Sequence, residues 1–315
     1  MGKGQASTKK PFLRRLDTSS CVRGYNGLIS LIPAFVVLLM ISIAPAVLNI
    51  VLSLTNYNGD ISNFEFIGLG NYRDFFGAFG LDVFDAIVNT LYYMLLTVLP
   101  VQVVALAAAL LVNAKIRGKS LFRAIYFLPS ILGITVVCTT WGIMFDPLDG
   151  PLAKLLERLH AVLPFIKGNS AFLGSSDTAM LCVALVTVWA SFGFSMAIYL
   201  AGLVGISNDY YEVAQLEGAG ALRILFKITL PLLWPAVTIC LFLAMSGTIG
   251  MSDYIILLTG GGRNTTTIGF YMYNIVMNNT VSHGQAAAVS MCFLVFTTAV
   301  MLTFTRLVRR REVDL

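Results

Sequence analysis

The sequence predicts an all-α integral membrane protein with six transmembrane helices. Three observations lead there. Of the 315 residues, 57% are hydrophobic and only 12% charged, about half the charge fraction of a soluble domain. Six apolar runs are long enough to cross a bilayer with some tilt. The Lys and Arg residues are divided unequally between the two sides that six crossings create.

Residues 1–27 read as a basic tail carrying Lys3, Lys9, Lys10, Arg14, Arg15 and Arg23. The apolar run from Leu28 to Leu54 is too long for the core of a secretion signal, and Pro45 spoils the Ala44–Ala46 cleavage pattern. It is read as an uncleaved first span. Further spans are expected at about 85–112, 121–145, 179–205, 231–258 and 285–308. The six-span domain thus covers 28–308, and 309–315 forms a short tail. Pro33, Pro45, Pro100, Pro129 and Pro235 lie within or near spans and predict kinks.

With six spans, both termini share a side. Sixteen of the 21 Lys and Arg residues fall on it, including Lys115, Arg117, Lys119, Arg123, Arg223, Lys227 and Arg309 to Arg311. Arg73, Lys154, Arg158, Lys167 and Arg263 fall opposite. The bias puts both termini in the cytoplasm. It also assigns the net charge of +5 to membrane orientation rather than to a nucleic-acid patch.

Reactive chemistry is sparse. Cys21, Cys138, Cys182, Cys240 and Cys292 include no C-x-x-C pair, and four of them lie in separate apolar spans. They suggest neither a disulfide framework nor a metal site. His160 and His283 fall on the side opposite the termini. No H-E-x-x-H, G-x-S-x-G or P-loop is present, so no catalytic residue and no cofactor is expected in this chain. Mid-span acids and bases, which ion-coupled carriers use, are nearly missing.

The stretch Tyr210 to Pro231 separates the fourth and fifth apolar runs. It reads as a helix, a sharp turn and a second helix at the membrane surface. Ser207 or Asn208 is positioned to cap the first helix. Glu212 is expected in its first turn, where the helix dipole favours a carboxylate. Ala214 and Gly218, four apart, predict a face with little bulk, and Gly218 and Gly220 give the backbone freedom for the bend.

This stretch resembles the cytoplasmic signature of permease subunits in bacterial ABC importers. Glu212-Val213-Ala214, then Gly218, then Ile228-Thr229-Leu230-Pro231 keep that signature's spacing. Val213 and Glu217 depart from the common Ala and Asp. The resemblance implies a type I importer permease fold, with this element as the coupling helix that docks on an ATPase. Glu212, Ala214, Glu217, Gly218 and Ala219 would form the contact. Implied partners are a second homologous permease, two ATPase subunits that hold ATP and Mg, an extracytoplasmic solute-binding protein and the solute.

On the opposite side, Phe66 to Tyr72, Trp141 to Leu156 and Leu258 to Asn264 look like the sugar-permease branch, which contains maltose and glycerol-phosphate permeases. Arg263 stands where Pro commonly follows the third Gly. The resemblance implies that Gly260, Gly261 and Gly262 contact the solute-binding protein. It also places solute between spans four and five. There Thr187, Ser191, Phe194 and Ser195 recur at helical spacing, as do Gly247, Thr248 and Met251. Asp253, near the outer end of span five, either lines that path or is hydrated at the membrane edge. The rival readings are a permease for another solute, such as glycerol phosphate or an amino acid, an ion-coupled secondary carrier, and a membrane enzyme, which would need a reactive constellation.

Overall fold

The computed structural model describes residues 31–60, 64–78, 80–114, 118–162, 171–250, 252–277 and 282–309. The expected tails, Cys21 and Met251 fall outside these residues, apart from Arg309. The chain divides into two units, 1–51 and 52–315.

α1 (Leu31–Ser53) is an apolar helix whose residues up to Val51 make up the described part of the first unit. Its Leu39–Ile43 turn is π-helical, with the Ala44 amide donating to the Leu39 carbonyl directly ahead of Pro45. Proline brings no amide and crowds the preceding turn, and a widened turn accommodates that. Leu225–Thr229 repeats the pattern ahead of Pro231, with Leu230 N donating to Leu225 O.

The second unit holds the remaining helices. They are α2 (Gly70–Ala78), α3 (Gly80–Asn113), α4 (Lys119–Ile131), α5 (Ile134–Met144), α6 (Pro151–Val162) and α7 (Ala179–Val204). Then come α8 (Asn208–Leu216), α9 (Ala221–Leu232), α10 (Trp234–Gly250), α11 (Asp253–Leu258), α12 (Ile268–Met277) and α13 (His283–Arg309).

Four helices, α1, α3, α7 and α13, are long and apolar enough to cross a membrane. The other two expected spans are broken. α4 and α5 meet at 96°, and α9 and α10 at 70°. The first break follows Pro129 and leaves Leu132 and Gly133 extended. α10 ends at Gly250 and α11 begins at Asp253, with Ser252 non-helical before it. Pro100, by contrast, sits inside an uninterrupted α3. α2, α6 and α12 lie outside the six expected spans and are too short to cross a bilayer.

The core is built on small residues. Ala105, Ala108 and Ala109 of α3 pack with Met196, Tyr199, Leu200 and Leu203 of α7 and with Val237 and Cys240 of α10. Small residues let membrane helices approach closely. At Gly193 of α7 the backbone of Tyr126 and Phe127 occupies the space a side chain would need. The Phe66–Tyr72 segment closes around Asn71, whose amide donates to the carbonyls of Ser53 and Thr55 at 2.9 and 2.7 Å.

Candidate functional site

The element between α7 and α10 is a helix closed by a left-handed turn. Ser207 is the N-cap, and its hydroxyl accepts the Asp209 amide at 3.3 Å. Asp209, rather than Glu212, is the acid in the first turn; Glu212 sits one turn in and is exposed. After Leu216 the chain reverses at Gly218, with φ +76°. Gly218 N donates to Gln215 O and Ala219 N to Ala214 O, at 3.0 and 2.9 Å. This double bond pattern requires a left-handed residue, which Gly supplies without a Cβ clash.

Two sequence expectations change in detail. Gly218 lies past the helix end, so it does not share a helical face with Ala214, and Ala214 is buried. The outward face belongs to Tyr210, Val213 and Leu216, which are 52%, 56% and 89% exposed. Glu217 is exposed and Ala219 half-buried. The link back into the membrane is direct: the Thr229 hydroxyl on α9 donates to the Tyr211 hydroxyl on α8 at 3.4 Å.

The residues expected along the solute path divide. Thr187 is buried and donates to Val183 O at 2.9 Å, so the Tyr93 hydroxyl donates to it across 2.6 Å. Ser195 is buried, and its carbonyl accepts the Cys240 thiol at 3.7 Å. Ser191 is half-buried, while Phe194 is 52% exposed. On α10, Thr248 donates to Ala244 O and lies 3.3 Å from the Thr97 hydroxyl. Gly247 is half-buried, with open space where a side chain would be. Asp253 is exposed and opens α11 directly after Ser252.

Span two therefore holds groups that the sequence reading passed over. Tyr93, Thr97 and Gln102 are buried polar residues of α3. Tyr199 of α7 donates to Gln102 Oε1 at 2.5 Å, and Gln102 Nε2 donates to Cys240 O at 3.3 Å. Polar residues in an otherwise apolar span are the signal that marks such interhelical bonds. A cleft of about 430 Å³ between α3 and α7 is lined by Leu96, Pro100, Val104, Leu185 and Trp189 among others, and offers little to bind a polyol.

Between α11 and α12, the 259–267 loop is tightly built. Gly260, Gly261, Arg263 and Asn264 all have left-handed backbones, with φ of 57°, 72°, 56° and 61°. The Thr259 and Thr265 hydroxyls meet at 2.6 Å, and Thr266 Oγ donates to Gly261 O at 2.7 Å. Asn89 donates to Thr266 O at 3.1 Å, and Thr90 Oγ accepts the Ile268 amide at 2.9 Å. Gly261 is buried against the Phe270 ring, and Gly260 and Gly262 are exposed. In the turn between α5 and α6, the Asp146 carboxylate accepts the amides of Leu148 and Asp149 at 2.9 and 2.8 Å. The amides of Asp149 and Leu148 hold its carboxyl below the usual carboxylate range.

A family model described as binding-protein-dependent transport system inner membrane component matches residues 13–313. The "Probable ABC transporter permease protein" PH1215 of Pyrococcus horikoshii is 31% identical over 281 residues, covering 87% of this chain and 92% of that one. The "Multiple sugar-binding transport system permease protein MsmF" of Streptococcus mutans is 28% identical over 265 residues, covering 83% and 87%. A crystal structure of a bacterial ABC transporter involved in import of the acidic polysaccharide alginate shares the fold. Its TM-score is 0.76 at 22% identity, over 93% of this chain and 98% of that one.

Proposed function

This chain belongs to the family of binding-protein-dependent transport system inner membrane components, and from that premise we propose that it is one permease subunit of an ATP-driven importer of a sugar or oligosaccharide. It forms half of the translocation path. A second homologous permease, two ATPase subunits holding ATP and Mg, and an extracytoplasmic solute-binding protein complete the complex. The saccharide class rests on the Streptococcus relative, whose name refers to multiple-sugar transport.

The observation that carries the coupling role is α8. It presents Tyr210, Val213 and Leu216 outward, an apolar face that this chain's own core does not use. Exposed apolar surface beside polar residues such as Glu212 and Glu217 marks a protein contact. An ATPase that grips α8 pulls on α9 through the Gly218 turn and the Thr229–Tyr211 contact. α9 joins α10 at a 70° bend, and Gln102 of α3 bonds both Cys240 O of α10 and the Tyr199 hydroxyl of α7. The outer spans then rock as ATP binds and is hydrolysed. The subunit carries the motion and forms no covalent bond with solute.

The broken spans support the position of the path. Non-helical backbone at membrane depth is tolerated only inside protein or beside water. Leu132–Gly133 and Ser252 are non-helical, and Asp253 follows Ser252 directly at the start of α11. The test is uptake by proteoliposomes holding the complete complex, with solute-binding protein outside and ATP inside. ATP-dependent accumulation of a saccharide that persists when ion gradients are collapsed supports the assignment. Accumulation that follows the ion gradient instead overturns it.

A further inference from the structure

We propose that the groove between α4 and α7 binds an anionic phospholipid of the cytoplasmic leaflet, its phosphate on Arg123 and an acyl chain between the two helices. The inference rests on the orientation that the basic-residue bias predicts.

The sequence supplies the charge. Lys115, Arg117, Lys119 and Arg123 follow closely on the second apolar run. No Asp or Glu lies between Asp85 and Asp146, and none lies in α7. The cations therefore have no acid beside them along the chain, and the helix that faces α4 brings none. A basic cluster of this size at the cytoplasmic end of a span attracts the negative lipids of that leaflet. Orientation alone accounts for cations anywhere on that side. It does not account for one that lines an apolar groove.

The structure supplies the groove. α4 and α7 meet at Gly193, against the backbone of Tyr126 and Phe127. From that contact a groove of about 710 Å³ runs between the helices to Ser120 and Val204. On α4, Ser120, Arg123, Ala124 and Phe127 line it at intervals of three, one and three, so they share one helical face. Phe127, Met196, Leu200 and Val204 give it hydrocarbon walls, and Ala197 and Ala201 leave room between them. α7 is long enough to cross the bilayer, and Met196 lies about 12 Å further along it than Val204. The start of α4 and the end of α7 are both predicted on the cytoplasmic side. The groove thus leads from that surface into the bilayer, with exposed Arg123 on its wall.

The two parts together select the occupant. An apolar groove in a membrane is filled by lipid chains or by another helix. A helix seated here would bury the guanidinium, at a desolvation cost that only a well-placed acid of its own offsets. A phospholipid satisfies both halves of the groove at once. Its chain covers the apolar walls, and its phosphate meets the planar donor fork of Arg123. The arginine stem lies along apolar surface while the head stays at headgroup depth. The Ser120 hydroxyl, on the same face, is a further donor.

The experiment uses the complete importer in phosphatidylcholine vesicles. A trace of phosphatidylglycerol with a photoreactive acyl chain is placed in the leaflet on the ATPase side. Adducts are mapped by mass spectrometry, and unlabelled phosphatidylglycerol is the competitor. Adducts are expected on the groove residues of α4 and α7 despite the excess of host lipid. Arg123→Gln is expected to raise the half-maximal competitor fraction by roughly fivefold, and Arg123→Lys to keep most of the wild-type affinity. Lys154→Gln, on the opposite side, should change nothing. Ala201→Phe fills the groove and should remove the adducts from an assembled complex; if it does not assemble, the Arg123 variants decide. An unchanged half-maximal fraction in Arg123→Gln, or equal groove adducts from a phosphatidylcholine probe, overturns the proposal while the orientation stands. Displacement of the probe by inorganic phosphate makes this a free-anion site, and a groove without adducts belongs to a protein partner; either result overturns it. Adducts formed only from the opposite leaflet overturn the proposal together with the orientation it rests on.

Discussion

The Tyr93 hydroxyl on α3 lies 2.6 Å from the Thr187 hydroxyl on α7, and both side chains are buried. Thr187 therefore holds two helices together before it can contact solute. Tyr93→Phe and Thr187→Val should each lower stability by about 0.6 kcal/mol, and by no more than about 1.7. The double variant should cost little more than either single one, as expected for one shared bond. Thermal unfolding of the purified complex measures this. A large additive loss would separate the two residues. A change in transported solute with stability intact would return Thr187 to the path.

Gly218 gives a second expectation. Its φ of +76° makes any Cβ unfavourable by about 1–2 kcal/mol, although nothing in this chain fills the space beside it. Gly218→Asn should retain most uptake, because Asn tolerates the left-handed turn. Gly218→Leu should lose solute-stimulated hydrolysis while the spans remain inserted. Full uptake and hydrolysis in Gly218→Leu would remove this turn from coupling.

Ser191 and Gly193 sit two residues apart on α7 but should fail differently. Ser191 is half-buried, and Ser191→Trp is expected to abolish uptake while ATP hydrolysis by the assembled complex persists. Gly193 touches the backbone of Tyr126 and Phe127, so Gly193→Ala should impair assembly itself. Normal transport by Ser191→Trp takes this face out of the path. Loss of assembly makes Ser191 a packing residue.

The contrast between these sites shows what the sequence could reveal. Length and apolarity make α1, α3, α7 and α13 legible, because a bilayer demands both. Pro129 predicts a kink, and the span does break just after it, at Leu132–Gly133; Pro100 predicts one equally and sits in an uninterrupted helix, so sequence alone does not tell the two apart. The coupling stretch was legible as a motif, but not the conformation of its glycine, which is fixed by the Gly218 and Ala219 amides donating back to the Gln215 and Ala214 carbonyls. Thr187 and Ser195 looked accessible because periodicity gives a shared face and not the neighbour that covers it. Their partners, Tyr93 and Cys240, are 94 and 45 residues distant. α2, α6 and α12 fall below the length that a bilayer crossing demands, so a search for spans passes over them.

Orientation is open to a direct check. The basic-residue bias expects the N-terminal tail in the cytoplasm and the segment before α7 outside. On a cysteine-free background in intact cells, a cysteine at Ser7 should resist an impermeant thiol reagent, and one at Ser176 should react. The reverse pattern would invert the topology and put α8 out of reach of an ATPase.

The most direct test of the account is a photo-crosslinker placed at Leu216, the residue of α8 that stands 89% exposed. Leu148, 85% exposed on the α5–α6 turn, is the control. In the assembled complex, Leu216 is expected to give an adduct with the ATPase subunit whose yield changes when ATP is added, while Leu148 gives none with that subunit. An adduct of Leu216 with the solute-binding protein or with lipid alone, or an ATPase adduct at Leu148, would contradict it.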